Sequence, residues 1–89
     1  MRTMTSNYTA PMATLRMFAT VRVAAGTGRD TVDGATVAEV VANATERYGD
    51  AFAELVPICR IWVNGEAAEP ETAVDDRDEV ALLPPVSGG

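Results

Sequence analysis

In the stretch "ATLRMFA", hydrophobic and polar positions alternate: Leu15 and Met17 fall on one side, Thr14, Arg16 and Phe18 on the other. That period of two is the mark of a half-buried strand. "GTGRD" reads as a loop, and the short run "DTV" before Asp33-Gly34 as a second strand closing a hairpin with the first. The period then changes. In "TVAEVVANATERYG", Val37, Val40, Val41, Ala44 and Tyr48 recur at helical spacing, while Glu39, Asn43, Glu46 and Arg47 occupy the opposite side. Thr36 and Glu39 have capping-box spacing, in which the Thr side chain satisfies a free helical N–H and the Glu reaches back. Gly49 suits a left-handed helix end.

"DAFAELV" reads as a short second helix stopped by Pro57. "CRIWVNGEAA" predicts a strand, an Asn64-Gly65 two-residue turn and a weak return strand. "DEVALL" alternates again, with Val80 and Leu82 opposite Ala81 and Leu83. Residues 1–12 are polar, small and aperiodic, and read as a loose extension before a domain at 13–83 and an extended tail at 84–89. One amphipathic helix across one face of a mixed sheet is the economical two-layer solution, an α+β roll of the β-grasp kind. The expected inward set is Leu15, Met17, Val37, Val40, Val41, Ala44, Ile61, Val63, Val80 and Leu82. Phe18, Trp62, Ala81 and Leu83 then share the open face, where exposed aromatics suggest a docking patch or are partly covered by loops.

Composition narrows the chemistry. With 89 residues the chain makes one domain, too small to enclose a deep active site alone. It has 47% apolar and 22% charged residues, an ordinary globular balance. The net charge is −6, from 13 acids against 7 arginines and no lysine, which argues against binding nucleic acid through phosphates. Seven of the acids come after Trp62, where Arg77 is the only cation. They form a solvated acidic surface or steer this end toward a basic partner. No apolar run approaches the ~18 residues of a membrane span, and no signal-type stretch opens the chain, so a cytoplasmic location is expected.

Histidine is absent, which removes the commonest general base and metal ligand. The single cysteine, Cys59, has no His partner and falls in one alternating set with Ile61 and Val63, as a structural thiol would. Gly26 and Gly28 in "AAGTGRD" lack the dinucleotide or P-loop pattern. Asp75, Asp76, Asp78 and Glu79 lack the spacing of a calcium loop and read as a turn. No self-contained catalytic site emerges.

The end of the sequence is different. Pro84 and Pro85 cannot donate to a ladder and bias the residues after them toward an extended form. The six residues Pro84 to Gly89 span roughly 20 Å when extended. Val86 and Ser87 are small and Gly88 and Gly89 carry no side chain, so this segment can thread a narrow channel and present a terminal carboxylate.

With "LRMFATVRVAAGTG", "VNGE" and "DRDEVALLPPVSGG", the chain resembles the MoaD/ThiS family of ubiquitin-like sulfur carriers over about residues 13–89. Its "PPVSGG" is most similar to the sulfur-carrying small subunits of molybdopterin synthases. The resemblance implies that the Gly89 carboxylate is adenylated by a ubiquitin-activating-like adenylyltransferase using ATP. A sulfur donor protein then supplies the sulfur, giving a thiocarboxylate. The large catalytic subunit of molybdopterin synthase uses that sulfur to build molybdopterin. Gly88 is the implied spacer, with Ser87, Val86, Pro85, Phe18, Trp62 and Leu83 on the partner. No cofactor, metal, nucleic acid or membrane is expected to bind the chain itself. A carrier for cysteine or thiamine synthesis, a ubiquitin-like modifier joined through Gly89, and a plain interaction module remain the alternatives.

Overall fold

The structure, a computed structural model, describes residues 11–85. Strand β1 (Met12–Met17) is followed by helix α1 (Ala19–Ala25), strand β2 (Arg29–Asp33), helix α2 (Val37–Tyr48) and helix α3 (Asp50–Leu55). A 3₁₀ turn over Val56–Ile58 leads into β3 (Arg60–Val63), β4 (Glu66–Ala67) and β5 (Glu79–Leu83). The five strands form one sheet in the order β2-β1-β5-β3-β4. β1 pairs antiparallel with β2 and parallel with β5, and β5 pairs antiparallel with β3. The last strand therefore occupies the centre of a mixed sheet, and the α+β roll of β-grasp type is the observed fold.

The core arises from the two periodicities. Ala13, Leu15 and Met17 of β1 and Val80 and Leu82 of β5 are buried against Val37, Val40 and Ala44 of α2. Val41, Ile61 and Val63, also expected inside, are only partly buried. Val21, Val32, Phe52 and Val74 complete the core. Phe52 packs beside Tyr48, ring centres 5.2 Å apart.

Helix α2 is capped as its sequence requires, with one difference. The Glu39 backbone N–H donates to Thr36 Oγ1 at 3.2 Å, but Glu39 Oε1 accepts from Ala35 N at 2.7 Å, one residue before the cap. Gly34 makes that close turn possible. A Cβ there would lie 2.7 Å from Val40 N, at φ +151. Gly49 ends the helix without adopting the left-handed conformation: φ 93 and ψ −165 make it a junction. Its N–H donates to Thr45 O at 2.9 Å and its carbonyl accepts from Ala53 N at 3.0 Å, opening α3.

Two features depart from expectation. Seven residues of helix stand between β1 and β2, so the pair is not a simple hairpin. Thr20, Val21 and Val23 have modest helix propensity and only Val21 is buried, which leaves "ATVRVAA" without a helical signature. The sheet also starts earlier than expected. Met12 pairs with Asp33, and the Pro11 carbonyl accepts from Gly34 N at 2.8 Å. The rest of the expected extension, residues 1–10, lies outside the described residues.

Candidate functional site

The face of the sheet away from α2 is built by strand register. Arg29, Arg16, Ala81, Trp62 and Ala67 form a row running through all five strands, each paired with the next. Alternation puts them on the side opposite Leu15, Val80 and Leu82. One step along, Leu83 pairs with Arg60 beside the residue that comes after β1, Phe18. The expected open-face set is thus together: Phe18, Trp62, Ala81 and Leu83 line an apolar groove of ≈ 340 Å³ with Gly65 and Glu79.

The two aromatics remain substantially in solvent, Phe18 at 37% and Trp62 at 36% exposure. A core role would require burial, so this pair belongs to the surface of the domain. Ala81, directly across from Trp62 in the ladder, puts one of the smallest side chains of the face beside the indole. The Asn64-Gly65 turn, with φ values of 52 and 85, closes the hairpin that pairs Trp62 with Ala67.

A second groove, ≈ 410 Å³, adjoins the first and is lined by Arg60, Trp62, Leu83, Pro84 and Pro85. Trp62 and Leu83 line both, so the base of the carboxyl-terminal segment leaves the sheet within the apolar face. Pro84 is half-buried and Pro85 exposed. Val86, Ser87, Gly88 and Gly89, the core of the expected site, lie outside the described residues.

The acidic turn after β4 is held together by its own carboxylates. Asp75 Oδ1 accepts from Arg77 N at 2.9 Å, and Asp78 accepts from Asp75 N and Asn64 Nδ2, each at 2.8 Å. The Arg77 backbone and side-chain donors hold the Asp75 carboxyl below the usual carboxylate range. Asp76 Oδ1 accepts from Met12 N at 3.0 Å and ties the turn to the start of the sheet. Among the described residues, no group of three or more His, Cys, Asp or Glu side chains is arranged to hold a metal ion. None of the described helices is long and apolar enough to cross a membrane.

Cys59 is half-buried, its Sγ donating to Leu55 O at 3.2 Å, and burial pushes its thiol pKa up. A reactive cysteine needs the opposite shift. Strand alternation groups Arg16 with Phe18 on the open face but gives no sign of a second arginine beside them. Arg16 lies 5.5 Å from the centre of the Phe18 ring and pairs with Glu79 at 3.3 Å. Only the strand register brings Arg29 alongside it.

Comparison with known proteins agrees with this architecture. The ThiS family model matches residues 15–89. No curated protein sequence matches the chain. Among solved structures, the crystal structure of SAMP1 from Haloferax volcanii is 30% identical, with a TM-score of 0.79 over 88% of this chain and 99% of that one. A chain of the BexX/CysO complex from Amycolatopsis orientalis is 28% identical, with a TM-score of 0.72 over 86% and 99%. A chain of the complex between subunits 1 and 2 of molybdopterin-converting factor from Helicobacter pylori is 25% identical, with a TM-score of 0.68 over 88% and 99%. With the β-grasp sheet, the family match running through Gly89 and these relatives together, the chain belongs to the ThiS family of ubiquitin-like sulfur carriers.

Proposed function

We propose that the chain is the sulfur-carrying small subunit of a molybdopterin synthase, with Gly89 as the carrier residue. A free carboxylate is a poor acyl donor. A ubiquitin-activating-like adenylyltransferase would join it to AMP from ATP, releasing pyrophosphate and creating a good leaving group. A sulfide equivalent from a sulfur donor protein then displaces AMP and leaves a C-terminal thiocarboxylate. The tethered sulfur enters the large subunit, where the dithiolene of molybdopterin is formed.

The observation that carries this reading is the continuity of the Pro84-Pro85 base with the Trp62–Leu83 groove. A partner seated on that face would lie beside Pro84 and Pro85, where the chain leaves the sheet. Catalytic groups are then needed in the partner and not in this domain. The relative from Helicobacter pylori was solved as a complex of two molybdopterin-converting-factor subunits, which supports a two-subunit arrangement.

A second reading, a protein modifier joined through Gly89 to lysines of other proteins, is favoured by the likeness to SAMP1, a small archaeal modifier protein. The absence of lysine from this sequence would prevent chains built on its own side chains but not conjugation to target lysines. The two readings separate in one assay. Thiocarboxylated chain is mixed with the large subunit of a molybdopterin synthase and the cyclic pterin precursor. Dithiolene product in proportion to the thiocarboxylate consumed supports the synthase reading. Unconsumed thiocarboxylate, with lysine conjugates in a cell lysate, moves the assignment to modifier.

A further inference from the structure

Arg16 and Arg29 stand directly opposite one another in the β1–β2 ladder, on the open side of the sheet. Like charges in that position destabilise a sheet, where an acid at either site would stabilise it. Among the described residues Arg16 has one counter-charge, Glu79, and its buried Nε has no hydrogen-bond partner. Arg29 is exposed and has no ion pair among the described residues. Arg22, from the last turn of α1, adds a third guanidinium that is likewise unpaired among the described residues. Its stem lies over Gly28, where a Cβ would come within 3.3 Å of Arg22 Cδ and Nε.

All three arginines line one groove of ≈ 320 Å³, and Phe18 lines both this groove and the apolar one. A chain of net charge −6 thus gathers three of its 7 cations beside its exposed aromatics. We infer that this face docks an acidic segment of a protein partner, its carboxylates on Arg16, Arg22 and Arg29 and an adjoining apolar side chain in the Phe18–Trp62–Leu83 groove. Guanidinium forks match carboxylates in pairs. The apolar half selects a protein segment over a nucleic acid, whose phosphates the net negative charge repels. The acidic turn at Asp75–Asp78 repels the same segment and orients it along the face. The inference rests on the carrier reading only in taking this face as the one a partner uses.

The test is an NMR titration of the full ¹⁵N-labelled chain with three probes. These are a synthetic peptide carrying Leu and Phe flanked by glutamates, the same peptide with glutamines, and inorganic phosphate. The acidic peptide should shift the amides of Arg16, Phe18, Arg22, Arg29 and Trp62, and the glutamine peptide should bind at least about tenfold more weakly. R29E should raise Tm, because Arg16 gains an opposite charge across the ladder, and should weaken the acidic peptide at least about tenfold. R22Q, away from that pair, should weaken the peptide with Tm unchanged.

Several results would overturn the inference: no shifts on this face, equal binding of the glutamine peptide, the same shifts from phosphate alone, or undiminished binding by R29E. Sulfur loading of Gly89 is read separately by mass. Normal loading without peptide binding overturns the docking inference alone, and peptide binding without loading overturns the carrier reading alone.

Discussion

Trp62 stands directly across from Ala81 in the β3–β5 ladder, so the largest side chain on the open face faces one of the smallest. The pair leaves a slot with Phe18 as its far wall. A rigid aromatic beside such a slot is the usual anchor of an interface, and its removal costs far more in binding than in folding.

Trp62→Ala should therefore weaken partner binding by about 2 kcal/mol or more, over tenfold in Kd. Because over a third of Trp62 is in solvent, the same change should lower Tm by only about 4–8 °C, equivalent to ~1 kcal/mol. Calorimetric titration against the partner and thermal unfolding of the free chain check both values. A larger loss in folding than in binding would place Trp62 with the core.

Asn64 joins three elements. Its Nδ2 donates to Asp78 Oδ1 at 2.8 Å, its Oδ1 accepts from Glu79 N at 2.9 Å, and its own N–H donates to Glu79 O at 2.9 Å. It does so from a positive φ of 52 that Asn tolerates and Ala resists. Asn64→Ala should cost about 1–3 kcal/mol, and Asn64→Gly less, because glycine restores the backbone but not the two side-chain bonds. Urea unfolding of both variants gives the comparison.

These elements differ in how far the sequence alone reveals them. The Thr36 cap of α2, the Asn64-Gly65 turn and the alternation of β1 and β5 are local patterns, and each is present where its residues predict it; only the return arm of the capping box shifts, to Ala35 N. Alternation alone also assigns Phe18, Trp62, Ala81 and Leu83 to one face. Helix α1 is not legible, because a seven-residue helix with one buried side chain is held by tertiary packing rather than by propensity. Phe52 and Val74 enter the core as single apolar residues in short segments, with no period to announce them. The Arg16–Arg29 opposition depends on register between strands separated by a helix, which no local pattern encodes.

Asp30 gives a pH signature. The Tyr48 hydroxyl donates to its carboxylate, and Arg47 Nη1 approaches at 2.9 Å. The Tyr48 hydroxyl above all holds the Asp30 carboxyl below its ordinary value of 3.8; burial opposes it, and Arg47 and the Thr31 N–H add to the lowering. A depressed carboxylate contributes stability that is fully present above the unfolded pKa and is lost as pH falls through the folded one. With Asp30 about a third exposed, Asp30→Asn should cost roughly 1 kcal/mol at neutral pH after screening. The gap between wild type and variant should close as pH drops below about 4. A gap independent of pH from about 7 to about 3 would contradict this.

Cys59 should react slowly with a thiol reagent in the folded chain at neutral pH and rapidly once urea unfolds it, since burial raises its pKa and Leu55 O holds its proton. Cys59→Ala should leave sulfur loading unchanged. Equal rates of modification in the folded and unfolded chain would mark an accessible thiol instead.

The proposed role of Gly89 as sulfur carrier can be read directly on the chain. The direct measurement is the intact mass of the full chain after incubation with a family adenylyltransferase, ATP and a sulfur source. The expected result is a gain matching one oxygen replaced by sulfur, dependent on ATP and absent from a variant lacking Gly88 and Gly89. An unchanged mass under conditions that load an established carrier, or a gain that survives removal of the two glycines, would contradict it.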